Sequence, residues 1–158
     1  PCGNYPDLNR CSCTEWQIRQ YLHKISQPFL DRMDLYIEIS KVSYKSLSTR
    51  KQEEPSAAIR NRICRAREIQ RRRYEKDSFL TNDQLDQKGI EKYCILDRSQ
   101  KQIMERAFSK LAWSGRSYYK ILKVARTIAD LAGSQGITDV HLREAISYRM
   151  PEKNDWGR

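Results

Sequence analysis

One stretch of this chain alternates like a strand: Leu35-Tyr36-Ile37-Glu38-Ile39, with Leu35, Ile37 and Ile39 on one face. Every other periodic segment is helical. A lone strand leaves its N–H and C=O groups without ladder partners. It therefore predicts pairing with a sheet that lies before Pro1 or in another chain. The 158 residues are then expected to be part of a larger unit. The opening Pro-Cys-Gly has no initiator Met and no signal-like apolar stretch, in keeping with an internal boundary.

The helices are written in caps and stripes. Thr14 and Gln17 form the two halves of a capping box ahead of Ile18, Tyr21, Leu22 and Ile25. Pro28 ends or re-aims that helix. Residues 43–55 are polar and aperiodic and read as a linker. Ser56 is expected to cap a helix whose apolar stripe is Ile59, Ile63, Ala66 and Ile69. Residues 81–93 read as a loop and a short helix broken near Gly89. Asp97 or Ser99 opens the next helix, with Met104 and Phe108 facing inward.

Ser114 caps the clearest helix, with Tyr118, Ile121, Leu122, Ala125, Ile128 and Ala129 as its stripe. Gly133 suits the left-handed position beyond its end. Thr138 caps a last helix, with Ile137 and Leu142 placed as a staple and Val140, Ala145 and Ile146 on its inner face. The expected division is 1–42, 43–55, 56–150 and a frayed tail at 151–158.

Charge narrows the partners. Thirty basic residues against 20 acidic ones give a net charge of +10. That suggests a polyanionic partner, nucleic acid or nucleotide phosphate ahead of a membrane surface, weighed evenly against a merely solvated basic face. No apolar run approaches the roughly 20 residues of a membrane span. Five cysteines without a secretory signal point to a reducing compartment, so a cytoplasmic location is expected. No G-x-x-x-x-G-K-[ST] occurs in the chain.

Three strings carry a resemblance: Pro-Cys-Gly-x-Tyr with the later Cys-x-Cys, QPFLDRMDLYIEI, and SGRSYYKILKVARTIADLAG. Together they resemble the C-terminal region of magnesium-chelatase-like AAA+ ATPases, more closely the bacterial competence-type branch. The resemblance covers nearly the whole chain. It implies a mainly α fragment of an α/β AAA+ module: the end of the nucleotide-binding core, one strand, then a helical lid. It also implies an ATP- and Mg2+-dependent homo-hexameric ring acting as a DNA helicase on branched intermediates in recombination or natural transformation. This stretch, lacking the phosphate-binding loop, is expected to be inactive and monomeric by itself.

The resemblance also assigns roles. Arg32 matches an arginine finger that reaches the neighbouring subunit's nucleotide, where a guanidinium neutralises charge spread over the γ-phosphate. Its bland alternative is a pair with Asp31 or Asp34. Arg116 matches the lid's second sensor. It falls in the first turn of the Ser114-capped helix, where the dipole and free N–H groups favour an anion from the same subunit's nucleotide. Arg126 is expected to pair with Asp130 four residues on.

Cys2, Cys11 and Cys13 match a cysteine-rich insertion able to hold a structural Zn2+, with a fourth cysteine expected just before Pro1. Cys64 and Cys94 read as buried helix residues. The arginine-rich helix over 57–76, with Arg60, Arg67, Arg71 and Arg72, is the DNA-contact candidate, weighed equally against a solvated lid face. His23 and His141 read as surface or capping residues. Two rival functions stand beside the DNA motor: a magnesium chelatase motor subunit in porphyrin metallation, and a non-catalytic basic helical module that binds nucleic acid.

Overall fold

The computed structural model describes residues 2–149 apart from 6, 8, 38, 40, 41, 43, 45–47, 49–52 and 112. Most of the expected linker and all of the tail at 151–158 therefore lie outside the described residues. Among the described residues these helices follow in order: α1 Glu15–Leu22, α2 Gln27–Leu30, α3 Ser56–Arg73, α4 Gln87–Tyr93, α5 Arg98–Leu111, α6 Gly115–Leu131 and α7 Asp139–Ser147, with a 3-10 turn at Asn82–Gln84.

Among the described residues there is no strand. The expected strand is thus corrected: Leu35 and Ile37 are irregular, and Leu35, Ile37 and Ile39 are exposed by 50, 69 and 86%. The physical reason is the missing ladder. Among the described residues this stretch has one backbone bond, from Tyr36 N–H to Tyr148 O at 2.8 Å. Alternation presents an apolar face but supplies no neighbouring strand.

The bundle is organised on α6. Its Ala125 and Ala129 are fully buried, and Ile121 and Leu122 lie beside them. Small residues at this centre let α3, α4 and α7 approach closely. Tyr74, Leu85, Ile90, Met104, Trp113 and Leu142 complete one continuous core. The helix ends follow their local signals. Ser114 Oγ accepts from Ser117 N–H at 3.4 Å, and Thr14 and Gln17 form the expected reciprocal box. Gly133 has φ +70°, with its N–H on Asp130 O and Ser134 N–H on Ala129 O. Those two bonds are a Schellman closure. Ile137 and Leu142 are both buried, as a staple requires.

Several local expectations are corrected. Pro55, not Ser56, holds the cap position of α3, and Ser56 is already helical. Ile59 and Ile63 are 38 and 48% exposed, and Cys64 is exposed as well. Within α3 the buried residues are Ala66 and Gln70, because the C-terminal half of the helix is what lies on α6. Val140 is 70% exposed. Helix α4 runs unbroken through Gly89. Glycine serves packing there: an added Cβ would stand 2.9 Å from Leu85 Cδ2 and 3.0 Å from the Phe79 ring.

One buried polar cluster locks the bundle. Asp130, with no exposed side-chain area, accepts from Arg73 Nη1 at 2.9 Å and from Arg73 Nη2. It also accepts from Arg126 Nε at 3.2 Å and Asn82 Nδ2 at 2.9 Å. Arg126 is therefore structural, as expected. Its two Nη atoms donate to Gln135 O and Ser134 O beyond the end of α6. Burial works against the Arg73 charge, yet its bonds to Asp130 hold its pKa above the usual guanidinium value.

Candidate functional site

Arg32 stands on a turn at the end of α2. Its N–H donates to Phe29 O at 3.0 Å, and Met33 N–H donates to Leu30 O at 3.0 Å. The side chain is exposed, and Nη1 donates to Pro28 O at 2.7 Å. The two carboxylates weighed as its partners are engaged elsewhere. Asp34 Oδ1 lies 2.6 Å from Lys120 Nζ, and Asp31 Oδ1 lies 3.9 Å from Arg149. Arg32 forms no ion pair among the described residues. Its charge stays available to an incoming anion.

Arg116 occupies the first turn of α6 and is exposed. Four residues further along the same helix, Lys120 Nζ donates to Arg32 O. Residues i and i+4 share a helix face. The structure thus brings the two candidate arginines to one end of the bundle. The first-turn amide of Ser117 is already capped by Ser114.

Helix α3 presents its arginines outward. Arg60, Arg67, Arg71 and Arg72 are all exposed. Arg71 and Arg72 both pair with Glu68, at 2.9 Å each, and these bonds hold the Glu68 carboxyl below its ordinary pKa. Arg62 pairs with Glu54 at 2.8 Å. Exposed pairs of this kind are screened by solvent and salt and contribute little to stability.

The three N-terminal cysteines come together. Their Sγ atoms all lie within 4.8 Å of one another, with Cys2 and Cys11 3.7 Å apart. Bonds of about 2.3 Å to a tetrahedral zinc require sulfurs roughly 3.8 Å apart, so the cluster fits three corners of such a site. Backbone N–H groups of Asn4 and Ser12 lower the Cys2 thiol to about 6, with the Cys13 and Cys11 thiols adding to this. Cys11 moves the other way. The Cys13 N–H favours its thiolate, but desolvation and the neighbouring thiols outweigh it. Cys94 is buried, and burial pushes its thiol up to about 11.

His23 closes α1 as an exposed residue. His141 is buried and caps α7, its Nδ1 accepting from Thr138 N–H at 3.1 Å. Two residues with large roles escaped sequence reasoning. Arg73 was one of many arginines, although it lies in register with Ala66 and Gln70 on the buried face of α3. Arg149 reaches residues more than 110 positions away, and no local pattern announces that.

The described residues thus form a helical bundle built on one capped central helix, with an arginine in that helix's first turn and a second arginine on a docked N-terminal turn. The chain belongs to the magnesium chelatase ChlI family: "Magnesium chelatase, subunit ChlI C-terminal" matches residues 53–149, and "Magnesium chelatase, subunit ChlI" matches residues 1–47. It is 42% identical to the competence protein ComM of Haemophilus influenzae over 94% of this chain and 28% of that protein. It is 39% identical to the uncharacterized protein YifB of Salmonella typhimurium over 97% of this chain and 29% of that protein. An uncharacterized Mycobacterium tuberculosis protein, Rv2897c, is 31% identical over 95% of this chain and 30% of its own length. The likeness is thus to the competence-type branch of the family. The chain spans a little under a third of the length of these relatives. No described helix is long and apolar enough to cross a membrane.

Proposed function

We propose that this chain is the C-terminal part of a homo-hexameric AAA+ ATPase that couples ATP hydrolysis to DNA remodelling, namely branch migration in recombination or natural transformation. Arg32 is the arginine finger presented to a neighbouring subunit's nucleotide, and Arg116 is the lid sensor. ATP with Mg2+ is the substrate, and the phosphate-binding loop is supplied by the rest of the protein. The observation that carries the reading is the state of Arg32: exposed, on a turn, with no ion pair of its own among the described residues, Asp34 being paired with Lys120 and Asp31 lying 3.9 Å from Arg149. An arginine so placed can meet charge that develops on a phosphoryl group without first breaking an ion pair.

Two further surfaces fit the same reading. Arg60, Arg67, Arg71 and Arg72 form a basic face on α3 suited to a phosphate backbone. Cys2, Cys11 and Cys13 would hold a structural zinc, which when bound ties the N-terminal loop to the start of α1. The magnesium chelatase motor shares the ATPase parts and differs in its partner.

The test is ATP hydrolysis by the full-length protein, with and without branched DNA, for the wild type and Arg32→Ala. The expected result is DNA stimulation, and a fall in kcat of about 10³-fold in the variant with ATP binding retained. Turnover indifferent to DNA would favour the chelatase-type motor. Turnover indifferent to Arg32, beside salt-sensitive DNA binding, would favour a non-catalytic nucleic-acid module.

A further inference from the structure

We propose that Arg149 is the positioning residue for Arg32, fastening the turn that carries Arg32 to the helix that carries Arg116. This rests on the reading of Arg32 as a finger. The side chain of Arg149 is 4% exposed, yet its one carboxylate neighbour, Asp31, is 3.9 Å away. Its bonds go mainly to neutral oxygens. Nη1 donates to Met33 O, and Nη2 donates to Asp31 O at 3.3 Å and to Ser117 Oγ at 2.9 Å. The guanidinium also lies 5.8 Å from the centre of the Tyr36 ring.

The pattern has a clear geometric meaning. Asp31 and Met33 flank Arg32, and the carbonyl of Arg32 itself accepts from Lys120 Nζ. Three consecutive carbonyls are therefore held by cations of the helical body. They lie just beyond the single turn of α2, whose last carbonyls, Phe29 O and Leu30 O, accept from Arg32 N–H and Met33 N–H. Two bonds of Tyr36 extend the attachment, its N–H to Tyr148 O and its hydroxyl to Leu30 O. With the carbonyls turned inward, the Arg32 side chain is left on the exposed side.

Arginine is required because a planar fork can serve two carbonyls and a hydroxyl at once, whereas an ammonium group is a point donor. Ser117 is the residue after Arg116, so one guanidinium links the backbone on either side of Arg32 to the side-chain hydroxyl next to Arg116.

The test uses the full-length protein and steady-state ATP hydrolysis. Arg149→Met, Arg149→Lys and Lys120→Met are each made in the wild-type and Arg32→Ala backgrounds. Arg149→Met should lower kcat about 10- to 100-fold, since a misplacement near 1 Å has that effect, with KM for ATP within about twofold. Arg149→Lys should recover part of the loss, and Lys120→Met should fall in the same direction. In the Arg32→Ala background none should lower kcat further, because a residue acting through Arg32 has nothing left to position.

Equal losses in both backgrounds, a loss carried by KM, or unchanged kcat would overturn the positioning role and leave the finger standing. Unchanged kcat in Arg32→Ala alone would bring down the finger and this proposal with it. If Arg149→Met does not fold, Lys120→Met decides the matter, since that side chain is 18% exposed and reaches the same turn.

Discussion

Replacing Asp130 by Asn isolates the charge at the centre of the bundle. The carboxylate has no exposed area and accepts three hydrogen bonds from Arg73 and Arg126 and one from Asn82. The amide keeps the shape but removes the charge, and it turns donor N–H groups toward two guanidiniums. Those guanidiniums belong to side chains 14 and 3% exposed, so water cannot replace the lost partner. Each charge-assisted bond is worth about 1.5–3 kcal/mol, but bonds within one network do not add. Breaking a buried pair costs about 3–5 kcal/mol, and about 4 is expected here.

For a bundle of fewer than 100 residues that loss lowers Tm by about 15–30 °C, a large share of a total stability near 5–15 kcal/mol. Urea and thermal melts of this chain, followed by far-ultraviolet circular dichroism, measure it. A triple replacement by apolar groups, Arg73→Met with Arg126→Met and Asp130→Leu, should lose less than Asp130→Asn alone, because no charge is left uncompensated. A loss below about 1 kcal/mol for Asp130→Asn would refute the reasoning, as would a triple variant less stable than the single one.

Other consequences are as direct. Gly89→Ala sets a helix-propensity gain of about 1 kcal/mol against a Cβ only 2.9 Å from buried Leu85, and overpacking of about 1–3 kcal/mol wins, so the urea midpoint should fall. For Cys2, the folded thiol at about 6 lies below the ordinary value of 9.0. Its contribution to holding the N-terminal loop is therefore present above the ordinary value and lost as pH falls through about 6. Alkylation of metal-free protein at Cys2, mapped by mass spectrometry, should rise through a midpoint near pH 6, and added Zn2+ should block it.

What could be read from the residues was what depends on near neighbours. Thr14 with Gln17, Ser114, Gly133 and the Ile137–Leu142 staple all act within a few positions, and each stands where its spacing puts it. Arg126 with Asp130 is legible for the same reason. The strand at Leu35 failed because a ladder belongs to two segments, and only one can be seen in the residues themselves. Ile59, Ile63 and Cys64 failed because an apolar stripe says which way a helix wants to face, not how far its support extends. The grouping of Cys2, Cys11 and Cys13 is implied by the family resemblance rather than by their spacing, and the structure brings their sulfurs within 4.8 Å of one another. The Arg149 attachment is not legible in the residues, since its partners at Asp31, Met33 and Ser117 are distant in sequence and two of them are backbone atoms.

Helix α3 is clamped at its Arg73 end, while its first two turns and more carry exposed side chains. Mechanically it is a cantilever. Its 18 residues make a rod of about 27 Å, so a tilt of about 10° at the clamp sweeps the Ser56 tip through roughly 5 Å. A displacement too small to disturb packing around Ala125 would arrive at Arg60 as a stroke longer than a hydrogen bond.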